Sequence, residues 1–137
     1  MTPGIVIDTN VYLSALVFGG NPRTLLELVT AGSVDAVTSE HIYVEMRRVI
    51  AQKFPQFSTE YRGFEVLLRE CTIVVPLGSV AVQACRDPDD NAVIETALVG
   101  LCETIVTGDT DLLALGEYDE VSILTPREFL LQLRESI

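Results

Sequence analysis

A chain of 137 residues, 48% apolar and 21% charged, has the size and make-up of one ordinary compact domain, long enough to bury roughly two-thirds of its unfolded surface. Twenty acidic residues against nine basic ones leave a net charge of -11, which argues against strong non-specific attraction of nucleic acid by the overall field. Cys71, Cys85 and Cys102 lie in apolar surroundings and read as free thiols of a reducing cytoplasm, not as a disulfide framework or a zinc site. No run is long and apolar enough to span a bilayer, and Asp8 interrupts the only apolar N-terminal run, so a cytoplasmic protein without a membrane anchor is expected.

The elements follow in chain order. Gly4 to Asp8 is a short run of apolar residues ending on an acid, as suits a central parallel strand covered on both faces. A helix follows from Val11 to Val17. Asp8 then stands at the carboxyl end of the first strand, where open α/β sheets bind ligands; capping of this helix by Asp8 or Asn10 explains the same residues. After a loop at Phe18–Pro22, Asn21 reads as a helix cap and Pro22 as the first helical position, with the helix stopping near Gly32. Val34 to Thr38 is a second strand. Ser39 caps a helix running to about Phe54, with an apolar stripe of Ile42, Met46, Val49 and Ile50. Glu45 flanks that stripe, which is unusual for a carboxylate, although a helical salt bridge to Arg48 also accounts for it. His41, one turn earlier, reads as an exposed residue.

Pro55 breaks that helix. Ser58 caps the next, which packs through Tyr61, Phe64, Leu67 and Leu68, and a third strand follows from Cys71 to Pro76. Ser79 to Cys85 reads as a short helical segment. A longer helix presents Val93, Ile94, Ala97, Leu98 and Leu101, and Thr104 to Thr107 is a fourth strand. A brief helix spans Thr110 to Leu115, and Val121 to Leu124 is a fifth strand. Thr125 to Glu128 forms a capping box with Pro126 at the first helical position, opening a final helix through Phe129, Leu130 and Leu133. Strands alternating with helices, without repeats or linkers, predict a single domain over residues 1–137. Its expected fold is a three-layer α/β/α arrangement around a five-stranded parallel sheet.

The chain is organised around residues 86–111. There Asp87, Asp89 and Asp90 crowd one turn before a helix, and Asp109 and Asp111 crowd the turn after the fourth strand. Like charges raise one another's pKa values and cost stability unless a cation sits among them. Oxygen-only clusters suit magnesium or manganese. Caps and turns explain each aspartate singly; convergence would not be explained that way. If the first and fourth strands are neighbours, Asp8, Glu45, Asp90 and Asp109 arrive from four elements at one edge of the sheet. Helical phase puts Asp90, and not Asp89, in line with Ile94, Ala97 and Leu101, the stripe that packs on the sheet.

These residues resemble a family. Asp8-Thr9-Asn10 after the first strand, Glu45 in its helix, Asp90 in Asp-Pro-Asp-Asp-Asn, and Thr107-Gly-Asp109-Thr-Asp111 resemble, in order and spacing, the four motifs of PIN-domain nucleases. The resemblance spans essentially the whole chain and is nearest to small stand-alone VapC-like toxins of toxin–antitoxin pairs. It implies a magnesium- or manganese-dependent ribonuclease, frequent homodimers and inhibition by a protein antitoxin. In the implied site Asp8, Asp90 and Asp109 bind metal. Glu45 and Asp111 hold a second ion or orient water, while Asn10 and Thr107 fix the carboxylates. Several acids in the third motif depart from the single acid of many such toxins.

The chemistry is a matter of charge. Carboxylates alone repel a phosphodiester, and a divalent ion inverts that field and acidifies water. Neutralising Asp8 as Asp8→Asn is then expected to raise the stability of the metal-free protein. Basic residues concentrate in the first half, so RNA is expected to enter beside Arg23, Arg47, Arg48, Lys53 and Arg62, with Arg23 and Arg48 as phosphate contacts. A Ser-His-Asp or Cys-His set is excluded by the single His41, and no P-loop glycine pattern is present. A phospho-acceptor receiver domain needs a lysine near the late strands, and Lys53 is misplaced for that. The remaining alternative is a degenerate scaffold of this fold that binds RNA or protein without cutting.

Overall fold

A computed structural model describes residues 4–136. The elements are β1 (Ile5–Ile7), α1 (Thr9–Val17), α2 (Gly20–Thr30), β2 (Ala36–Thr38), α3 (Glu40–Lys53), α4 (Ser58–Cys71), β3 (Thr72–Val74), α5 (Pro88–Val99), β4 (Thr104–Val106), α6 (Thr110–Leu115), β5 (Glu117–Tyr118), β6 (Val121–Leu124) and α7 (Pro126–Glu135). A 3-10 turn at Pro55–Phe57 joins α3 to α4. The sheet order is β3-β2-β1-β4-β6-β5. The first five of these strands pair in parallel, and β5 adds an antiparallel edge to β6.

All residues of β1, β2 and β4 are buried. Successive side chains of a strand point to opposite faces, so helices must cover both sides of the sheet. The three-layer expectation therefore holds, with one strand added. Tyr118 and Val121 pair across a two-residue turn, and Asp119 and Glu120 there have φ of 47° and 67°. Turns of that kind usually carry Asn-Gly or Asp-Gly, which is why this hairpin is not visible in the sequence.

Four local expectations are corrected. Helix α2 begins at Gly20 with Gly19 before it, so Asn21 and Pro22 lie inside its first turn. Ser39 makes no capping bond; its buried hydroxyl accepts from Thr96 Oγ1 on α5 at 3.0 Å, tying two helices together. Ser58 is already helical, with Phe57 at the cap position, and its hydroxyl donates to the Pro55 carbonyl. Residues 79–85 form no helix. The Asn91 side chain clamps the end of that loop, accepting from the Cys85 N–H and donating to the Cys85 carbonyl.

The core runs through Val6, Ile7, Leu25, Ile42, Met46, Ile94, Ile105 and Leu112. Leu67 and Leu101 do not belong to it and are exposed. Cys102 is buried and Cys71 and Cys85 are half-buried, all free thiols. Gly100 ends α5 where a Cβ would stand 2.6 Å from Val37 Cγ1, so only glycine lets this turn close onto the sheet. The capping box at Thr125 and Glu128 forms as the sequence predicts.

Candidate metal centre

Parallel pairing of β1 with β4 puts their carboxyl ends side by side. Asp8 follows β1 and Asp109 follows β4. Asp8 is buried, and three donors are directed at its carboxylate. Its Oδ1 accepts from the Thr9 N–H at 2.7 Å. Its Oδ2 accepts from Asn10 Nδ2 at 3.0 Å and from Thr107 Oγ1 at 2.7 Å. Burial nevertheless holds the Asp8 pKa above its ordinary value, aided by the charge of Asp109 and opposed by these hydrogen bonds. The bonds also revise the outlook for Asp8→Asn: an amide would place a donor against donors, offsetting whatever the lost charge relieves.

Asn10 and Thr107 hold more than Asp8. Asn10 Oδ1 accepts from the Gly108 N–H at 3.0 Å, and Thr107 Oγ1 accepts from the Asp109 N–H at 2.9 Å. Together they lace the end of β1 to the loop after β4. A Cβ on Gly108 would approach Asn10 Oδ1 to 3.3 Å, so the glycine permits that lacing. Asp109 caps α6, accepting from the Leu112 N–H.

Asp87 is the cap of α5, accepting from the Asp89 N–H, and Pro88 takes the first helical position. Asp90 is thereby relieved of capping. It is buried on the same face as Ile94 and Ala97, as its phase predicts. Burial first, then the charges of Asp109, Asp8, Asp87 and Asp111, push its pKa up to about 7. Asp90, Asp109 and Asp111 each bring a carboxylate oxygen within 4.8 Å of the others'. Asp8 adjoins this trio electrostatically without belonging to it.

Glu45 reaches the neighbourhood of Asp8 from α3. Thr9 Oγ1 donates to Glu45 Oε1 at 2.5 Å. Burial, opposed by this bond but reinforced by Asp89 and Asp8, pushes Glu45 up to about 7. Thr9 has no role in the sequence reading. Its signal was available only as a buried-type position beside Asp8, and nothing in spacing links residue 9 to residue 45.

Asp89 points away from the trio. Its Oδ2 accepts from Arg48 Nη2 at 2.7 Å and its Oδ1 meets His41 Nε2 at 2.7 Å. Burial pushes the Asp89 pKa up, but these partners together bring it below the ordinary value. Arg48 also lies 3.8 Å from Glu45, the helical pair expected from spacing, with the closer bond going to Asp89. Arg86 approaches Asp111 at 3.5 Å. Arg23 does not face this centre's acids; it donates to the Ala15 and Leu16 carbonyls at the end of α1.

The family profile described as PIN domain matches residues 4–111. The chain belongs to the PIN-domain family. It is also similar to the uncharacterized protein MJ1680 of Methanocaldococcus jannaschii, at 30% identity over 92% of this chain and 88% of that one. Its fold matches a chain of the crystal structure of VapBC2 from Rickettsia felis bound to a DNA fragment from their promoter. The TM-score is 0.62 at 9% identity, covering 87% of this chain and 96% of that one. PIN domains are in general divalent-metal nucleases, and this chain's oxygen-only trio is the donor set that hard cations take.

Proposed function

We propose that this PIN-domain protein is a Mg2+- or Mn2+-dependent endoribonuclease, acting in the cytoplasm as the toxin of a toxin–antitoxin pair. The observation that carries the reading is the convergence of Asp90, Asp109 and Asp111 beside buried Asp8. No disulfide, cap or ion pair requires those four acids to meet. Asp90, Asp109 and Asp111, with Asp8 beside them, would hold a divalent cation, which when bound would supply positive charge for the phosphate and acidify water. The rest is the chain's own work. Asn10 and Thr107 fix the Asp8 carboxylate and hold the backbone of Gly108 and Asp109 beside it. Glu45, with a pKa near 7, stands where it takes a proton at neutral pH, the position a general base needs. Thr9 orients it by occupying Oε1. A protein antitoxin as partner is what the resemblance of the four motifs to VapC-like toxins implies, and the fold match to a chain of the DNA-bound VapBC2 structure accords with it. No described helix is long and apolar enough to cross a membrane.

The test is cleavage of several labelled RNAs with manganese, magnesium or chelator, with Asp8→Asn as control. Metal-dependent cleavage lost in the variant supports the reading. Metal binding with no cleavage of any RNA leaves the scaffold interpretation instead.

Arg48 is the proposed phosphate contact, since it stands half-exposed at the rim between Glu45 and Asp89. Arg48→Glu is expected to weaken RNA binding and lower the salt slope by about 0.7, the value for one single-strand phosphate contact. Arg23 was paired with it in the sequence reading, but its bonds to the end of α1 give it a structural task. Arg23→Ala is expected to lower the melting temperature and leave the salt slope unchanged. Equal slopes for wild type and Arg48→Glu in a binding titration would remove Arg48 from the interface.

A further inference from the structure

Helices α1 and α3 touch twice, once at the acids and once on an aromatic pair. Thr9 of α1 donates to Glu45 of α3 beside Asp8. Nine residues further along each chain segment stand Phe18 and Phe54, at the carboxyl caps of the two helices. Their rings meet edge to face, with centroids 6.1 Å apart and planes at 83°. The two contacts fix α1 and α3 side by side and in the same direction. At a helical rise of about 1.5 Å per residue, the pair lies about 13.5 Å from the Thr9–Glu45 contact. Phe54 packs against the core, whereas Phe18 is 75% exposed. The cap at Phe18 is made by its backbone N–H on the Ser14 carbonyl, which asks nothing of the ring.

The surroundings are basic in an acidic chain. Residues 9–26 and 46–59 contain none of the 20 Asp and Glu residues, and they hold Arg23, Arg47, Arg48 and Lys53. Helix carboxyl ends carry partial negative charge. Here Arg23 donates to the Ala15 and Leu16 carbonyls at the end of α1, and Lys53 closes the last turn of α3. Lys53 is exposed beside Phe54, and among the described residues it forms no ion pair. Arg48, five residues earlier on α3, leads back to Glu45.

We infer that Phe18, backed edge-on by Phe54, is a stacking platform for an unpaired base of the RNA strand whose phosphate the metal centre takes. This rests on the nuclease reading proposed above. An exposed ring beside cations is how single strands are held without regard to sequence, because every base offers a π-face. Charge selects this occupant: a chain of net charge -11 presents here two acid-free segments carrying four cations, which complement a phosphate backbone. Lys53 then meets a phosphate between the platform and Arg48. A base inside a duplex is already stacked on both faces, so the platform takes single strands and refuses duplex.

Binding titrations in chelator test this without cleavage, using a single-stranded RNA of about twelve nucleotides, within the length one such groove covers, and the same strand annealed to its complement. Phe18→Ala is expected to weaken single-strand binding at least fivefold, the lower end for losing one stacked base. Circular dichroism, melting temperature and salt slope should stay unchanged, since no phosphate contact is lost. Phe18→Tyr should bind like the wild type. Lys53→Ala should lower the salt slope by about 0.7. The protein has no tryptophan, so Phe18→Trp introduces a single reporter, which the single strand should quench and the duplex should not. Should Phe18→Ala unfold, that quenching decides. A wild type that binds no strand, equal single-strand affinity in Phe18→Ala, an equal loss on duplex, or an unquenched Phe18→Trp variant would each overturn the platform. A ring covered by a protein partner instead would leave RNA binding of Phe18→Ala intact. RNA bound as expected but never cut with metal would fail the nuclease reading alone, and metal-dependent cleavage indifferent to Phe18 would fail the platform alone.

Discussion

Asp90→Asn is expected to lower metal-dependent RNA cleavage by on the order of 10³-fold, the scale for losing one preorganised electrostatic contribution at a reacting centre. Asp89→Asn is expected to keep activity within about tenfold of wild type, the lower end of losses from outer-shell partners. The two side chains are chemical equals one residue apart, so direction alone separates them. Asp90 is buried with Ile94 and Ala97, beside the oxygens of Asp109 and Asp111. Asp89 faces α3, where Arg48 and His41 already take both its oxygens. Capping does not confuse the comparison, because Asp87 is the cap of α5. Asp90→Asn keeps the side chain's shape and removes only the charge. A manganese-dependent RNA assay checks both variants. Loss in Asp89→Asn with activity retained in Asp90→Asn would place the metal on the other side of α5.

That contrast was legible in the sequence because a helix has a fixed phase. Once α5 must lay Val93, Ile94 and Ala97 on the sheet, the azimuth of Asp90 follows. The placement of Asp8 beside Asp109 was legible for a similar reason, since fully apolar three-residue runs belong in the middle of a parallel sheet, and β1 and β4 are neighbours there. What spacing does not carry is contact between distant side chains. Thr9 with Glu45, Asp89 with Arg48 and His41, and Ser39 with Thr96 join residues 36 to 57 positions apart. Each looked like a cap, a helical pair or an exposed residue when read locally. Arg23 is a similar case: its charge counts toward the basic first half of the chain, while no spacing reveals that its guanidinium closes the end of α1. The loop at 79–85 misled because small apolar residues suit a helix, while the Asn91 clamp that shapes it lies beyond the loop itself.

Metal-free protein is expected to lose stability as pH rises from about 4 to about 7, and Mn2+ is expected to restore it most above that range. Asp90 rises from an ordinary 3.8 to about 7 on folding, and Glu45 from 4.5 to about 7. Between those limits the folded state holds protons that the unfolded state has released, so stability falls with increasing pH and levels off above about 7. Three pKa units at Asp90 correspond to about 4 kcal/mol, an upper bound at 1.36 kcal/mol per unit. Below pH 4 both states are protonated at these groups and this penalty vanishes. Metal requires the ionised carboxylates, so protons compete with it. Saturating Mn2+ should raise the melting temperature by about 5–10 °C near pH 8, as expected for a ligand at a hundredfold its Kd, and by much less near pH 5.5. Asp90→Asn removes one of these strained charges and should melt higher than wild type at pH 8 without metal. In the same variant the Mn2+ shift should shrink. Thermal melts of both proteins at the two pH values, with Mn2+ and with chelator, decide the matter. A wild type equally stable at both pH values, or an undiminished Mn2+ shift in Asp90→Asn, would show that the acids at this edge are neither strained nor the metal's ligands.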